Sequence, residues 1–104
     1  MNLIWENIAF GQLMQIAEYI ENNFGSKRMA VFLQEVDHIT DLLLTNPCMG
    51  ALEESLSDRS IPYRSIVVSK MDKMVYYVDD NDLIHISAFW DCRSNADNQT
   101  SHLI

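Results

Sequence analysis

A switch of hydrophobic period near residue 60 constrains this chain more than any other feature. Before it, Phe10, Leu13, Ile16, Ala17, Ile20 and Phe24 recur at steps of three and four, one face of a helix, with Glu18 and Glu21 turned away. Gly25 supplies the left-handed residue that ends this helix, and Ser26 can cap the next. Ala30, Leu33 and Val36, with Phe32, Ile39 and Leu43, form the second seam, which Asn46-Pro47 stops because the residue before proline avoids helical geometry. With so short a connection the helices are predicted to form an antiparallel hairpin. Asn2 to Trp5, ahead of it, is short, apolar and compatible with a strand.

After the switch the period falls to two. Residues 62–69, 73–79 and 83–90 are rich in β-branched and aromatic side chains and are separated by short polar breaks, which predicts an antiparallel meander. In its last strand Ile84, Ile86, Ala88 and Trp90 share the face expected to meet the helices, while His85, Ser87, Phe89 and Asp91 share the other. The expectation is an α+β fold: an N-terminal strand, an antiparallel helical hairpin, then a three- to four-stranded antiparallel sheet. Residues 1–93 form one domain and 94–104 a polar C-terminal tail.

Charge divides along the same line. The 104 residues carry a net charge of −8. Residues 1–58 hold Lys27 and Arg28 against nine acids, a balance of −7, whereas 59–93 hold five basic residues against five acids. An acidic chain lacks the Lys and Arg that broad affinity for phosphate backbones requires, so any nucleic-acid contact must be local to the sheet half. No apolar run approaches the roughly 20 residues of a membrane span, and no basic residue precedes an apolar stretch at the N-terminus. Cys48 and Cys92 are too few for a disulfide scaffold, which makes the reducing cytoplasm the default location.

Familiar active sites are excluded one by one. His85 and Cys92 are seven apart and point to opposite faces of a continuous strand, so they read as a strand-surface imidazole and a buried thiol. Neither has the paired spacing of a zinc site. An EF-hand opening at Asp79 would need Gly and Glu where Ile84 and Trp90 stand, which leaves a hairpin turn. Three scattered glycines make no phosphate loop. No cofactor or metal is expected. What remains is a basic set in the sheet half: Arg64 and Lys73 at strand starts, and Arg93, which shares parity with His85 and Phe89 if the last strand continues. Each has a plain alternative: an ion pair for Arg64 and Arg93, and a solvated strand end for Lys73.

The order and spacing of these marks resemble the RelE/ParE superfamily of toxins from bacterial type II toxin–antitoxin modules. They are Trp5 leading into a helix with IAEYIENNFG (16–25), a second helix with FLQEVDHITDLL (32–43), NPCMG (46–50) and YRSIVVSKMDKMVYYVDDNDLIHISAFWDCR (63–93). The resemblance implies a growth-inhibiting toxin, neutralised by a cognate antitoxin, with one of two activities. The ParE-like branch poisons DNA gyrase. The RelE-like branch cuts messenger RNA in the ribosomal A site without a metal, through clustered basic residues and often a tyrosine. In that branch Arg64, Lys73 and Arg93 would be catalytic. However, Asp91 and Asp97 stand where it has an arginine and a tyrosine, and carboxylates there repel phosphate. The resemblance therefore favours a ParE-like toxin that binds gyrase or another target, with the ribonuclease and an inactive relative as alternatives. Tyr76, Tyr77 and Phe89 are the expected exposed anchors for a partner.

Overall fold

The computed structural model describes residues 1–69, 72–91 and 103. Helix α1 spans Asn7–Phe24 and α2 spans Ser26–Thr45. Gly25 joins them at φ 93°, a region a side chain rarely adopts, and it serves both ends: its N–H donates to the Glu21 carbonyl and its own carbonyl accepts from Met29. Ser26 does not act as the expected cap. It is the first residue of α2, and its hydroxyl donates to the Glu21 carboxylate.

The hairpin buries the predicted stripe with its edges trimmed. Ala9, Leu13 and Ala17 of α1 and Phe32, Val36 and Leu43 of α2 are in the core, whereas Phe10 and Phe24 stay 52% and 61% exposed. Small Ala9 and Ala17 let α1 lie close on the sheet. Phe10, at the margin, instead meets Trp5 edge-on.

One five-stranded mixed sheet takes in every strand among the described residues, in the order β1-β5-β4-β3-β2. These are β1 (Asn2–Trp5), β2 (Ala51–Leu52), β3 (Arg64–Val68), β4 (Asp72–Val78) and β5 (Leu83–Asp91). The meander β3-β4-β5 is antiparallel, as periodicity predicts. The N-terminal strand returns across the hairpin to pair in parallel with β5, Asn2 opposite Leu83 and Trp5 opposite Ile86. Short β2 extends the far edge. The acidic run is a hairpin turn: Asp79 Oδ1 accepts from the Asn81 and Leu83 backbone N–H groups, and Asp82 takes φ 62°.

A bulge changes which side β5 shows. Val75 pairs with Ala88 but Tyr76 pairs with Ile86, leaving Ser87 as the extra residue. Before the bulge Ile84 and Ile86 face the helices; after it Phe89 does, while Ala88 and Trp90 turn to the opposite side. The expected common face of Ile84, Ile86, Ala88 and Trp90 is thereby corrected, since one extra residue inverts every later side chain. The helix-side core joins Met74, Tyr76, Ile84, Ile86 and Phe89 to the hairpin. A smaller cluster on the other face joins Val75, Ala88 and Trp90 to Leu56 and Tyr63 of the segment between β2 and β3.

Candidate functional site

Register decides where the sheet's cations point. Arg64 lies opposite Tyr76, and Lys73 opposite Val67. Tyr76 and Lys73 are three apart on β4, an odd step, so Arg64 belongs to the helix face and Lys73 to the other. The structure does not bring them together.

Each is also bonded within the fold. Arg64 Nη1 donates to the Gly50 carbonyl at 2.7 Å. Beside it the Tyr76 hydroxyl donates to the Pro47 carbonyl at 2.7 Å and accepts from Gly50 N–H at 3.0 Å. These bonds tie the 47–50 turn, just beyond α2, to the sheet. Burial pushes the Tyr76 phenol up, against smaller opposing effects of the Gly50 N–H and the Arg64 guanidinium.

Lys73 Nζ meets Glu53 Oε1 at 2.9 Å. Glu53 is only 8% exposed, and it also accepts from the Ser55 hydroxyl at 2.6 Å, the Ser55 N–H at 3.2 Å and the Ser65 hydroxyl at 2.7 Å. Burial alone would raise this carboxyl, but the bonds from Ser55, Lys73 and Ser65 outweigh it and hold the group at about 2. Glu53 and Ser65 are not among the site residues that the sequence predicts. Ser65 carries a parity signal once Lys73 is assigned a face, whereas Glu53 sits in a stretch without periodicity and gives none.

Of the three expected anchors, one is partly open. Tyr76 is fully buried by its hydroxyl partners and the helix-side core, and Phe89 is fully buried against Phe32 and Trp5 because the bulge turns it inward. Tyr77 is half-buried on the other face. It stacks on His85 at 4.5 Å between centroids and 2° between planes, with Tyr63 edge-on at 5.6 Å. His85 Nε2 in turn contacts Asp79 Oδ2 at 2.8 Å. Burial, then the nearby Glu6, Tyr63 and Asp79, raise the Tyr77 phenol. Glu6 itself accepts from the Ser87 hydroxyl at the bulge.

Asp91 ends β5 opposite Asp72 on the helix face, where Ser69 donates to Asp72 at 3.1 Å. Arg93, Cys92 and Asp97 lie outside the described residues. Among the described residues no three His, Cys, Asp or Glu side chains are grouped as metal ligands would be, and no helix is long and apolar enough to cross a membrane.

The fold defined by this hairpin and sheet is that of small α+β toxins. The chain is similar to a solved structure of the chromosomal ParDE toxin–antitoxin system from P. aeruginosa, with a TM-score of 0.70 at 17% identity over 88% of this chain and 95% of that one. It is also similar to a YoeB/ParE toxin from Agrobacterium tumefaciens, with a TM-score of 0.59 at 13% identity over 88% and 98% of the two chains. No curated protein sequence matches significantly. The sequence model of the ParE toxin of the type II toxin-antitoxin system, parDE, matches residues 3–96. The chain belongs to this ParE toxin family.

Proposed function

We propose that this ParE-type toxin arrests growth by binding a protein target, DNA gyrase or another, and is neutralised when a cognate antitoxin covers its surface. The observation that carries this reading is the separation of Arg64 and Lys73 onto opposite faces of the sheet, each hydrogen-bonded within the fold. Cutting RNA without a metal needs several donors converging on one phosphate as charge develops. A lysine held against a carboxylate and an arginine held on a carbonyl across the sheet do not converge. Asp91, at the end of β5, adds a carboxylate where the RNA-cutting relatives have a cation.

The test is controlled expression in bacterial cells with two readouts, a DNA-damage reporter and primer-extension mapping of transcripts. Growth arrest with reporter induction and intact transcripts is expected. Transcripts cut during translation, with the cutting abolished by Arg93→Ala, would establish the ribosome-dependent ribonuclease instead. Normal growth with full accumulation of folded protein would identify an inactive relative.

A further inference from the structure

The helices cover one face of the sheet, and the bulge at Ser87 sends Trp90 to the other, where it is buried with Val75, Ala88, Leu56 and Tyr63. Three partly buried side chains pack against this cluster. Two, Ile61 and Tyr77, come from the sheet half; the third is Leu103, far along the chain from β5. The apolar surface continues past Trp90. Lys73 lies opposite Trp90 and Val67 opposite Lys73, so the three form one cross-strand row, and Val67 at its end is 55% exposed. Tryptophan and tyrosine gathered round small apolar residues make the kind of pocket in which interface anchors seat.

Leu103 is held differently from its neighbours. The segment carrying Leu56 and Ile61 is fixed at both ends by β2 and β3, and Glu53 bonds it to Ser65 and Lys73. Leu103 belongs to no helix or strand. After Cys92 the chain runs through RSNADNQTSH, with no large apolar side chain before Leu103 and Ile104. Burying a leucine completely favours the buried form by roughly ten- to a hundredfold, and Leu103 is only partly buried, which puts its hold near the lower end. A contact of that strength is occupied most of the time, yet it yields to a competitor.

We propose that the cluster around Trp90 is a docking site for one leucine-sized apolar side chain, that Leu103 of the same chain is its resident occupant, and that a partner reaching this face must displace Leu103. The inference is independent of the toxin reading, because it concerns which side chain holds the site and is read by binding alone. A fluorescent peptide of residues 94–104 is titrated into the full chain and into its Leu103→Ser variant. The natural chain, whose site is taken, is expected to bind the peptide about tenfold more weakly than Leu103→Ser does. Leu103→Met, which keeps the apolar bulk, should stay close to the natural chain, and a peptide carrying Leu103→Ser should bind none of them. Acrylamide quenching supplies a second readout. With Trp5→Phe leaving Trp90 as the sole tryptophan, Leu103→Ser should raise quenching while helical circular dichroism is unchanged. Equal peptide affinity for the natural chain and Leu103→Ser, binding to neither, or unaltered quenching overturns the proposal. General loss of structure in Leu103→Ser also overturns it, by making Leu103 ordinary core. So does a dimer in sedimentation that Leu103→Ser dissolves, which would seat Leu103 in a second copy.

Discussion

Replacing Lys73 with Met tests whether this lysine is structural. The substitution keeps the aliphatic stem and removes the ammonium, leaving Glu53 buried with only the serine donors. A carboxyl held at about 2 instead of 4.5 contributes up to about 3 kcal/mol at neutral pH, shared among all its donors. Lys73 is one of three residues that hold it and is 26% exposed, so solvent screens part of its share. The expected cost is about 2 kcal/mol, or a fall in Tm of roughly 10 °C for a domain of this size.

Urea unfolding at neutral pH measures that cost, and repeating it in acid tests the cause. Because folding lowers the Glu53 pKa, its stabilisation is complete above about pH 5 and is lost as pH falls towards about 2. The gap between wild type and variant should therefore close over that window. Glu53→Gln in the Lys73→Met background should recover part of the loss, because a neutral amide costs less to bury than an unpaired carboxylate. Stability within about 0.5 kcal/mol of wild type, or a gap that persists in acid, would refute the reasoning. Unchanged stability with loss of growth arrest would move Lys73 into the functional set.

Gly50→Ala places a Cβ 2.8 Å from the Tyr76 hydroxyl and 2.9 Å from the Ser65 carbonyl, so a loss of about 1–3 kcal/mol in urea is expected. Tyr76→Phe, which strands the Gly50 N–H, should cost about 1–3 kcal/mol, and a double-mutant cycle should show the two effects to be less than additive. Phe89→Ala should cost about 3–5 kcal/mol by emptying the space between Phe32 and Trp5; a mild effect would contradict the inward turn at Ser87. His85, followed by the Leu83 N–H, lowers the Asp79 carboxyl, so His85→Leu should raise the Asp79 midpoint in an NMR titration towards its ordinary 3.8. The stability tied to that pair is lost as pH falls through the lowered midpoint, and an unmoved midpoint would show that the turn alone sets it.

The hairpin and the meander are legible in the sequence because each repeats a period long enough to outweigh single exceptions, and Gly25 marks the turn without ambiguity. Strand faces are less so. Tyr76 and Tyr77 are neighbours, and only a register tells which is buried. At Ser87 the register itself shifts by one residue, an event that leaves alternation along LIHISAFW intact to the eye while moving Phe89 from surface to core. The candidate site suffers in the same way. Arg64 and Lys73 look alike as strand-start cations, and their separation depends on an odd offset through β4 that spacing along the chain does not reveal. Glu53, which occupies Lys73, lies in the aperiodic stretch before β3, where no pattern ties it to a strand twenty residues later.

The parallel pairing of β1 with β5 has a consequence for the order of folding. Residues 2–5 leave the ribosome about eighty residues ahead of their backbone partners, residues 83–86, so β1 cannot pair until β5 has been made. The hairpin needs only its own forty or so residues and can form early, but Trp5 and the apolar stripe it covers stay wet until β5 arrives. Joining such distant segments is slow because loop entropy is lost before contacts return it. A nascent toxin thus exposes its helix-side core until β5 has been made, and folding to the working form is coupled to the synthesis of that strand.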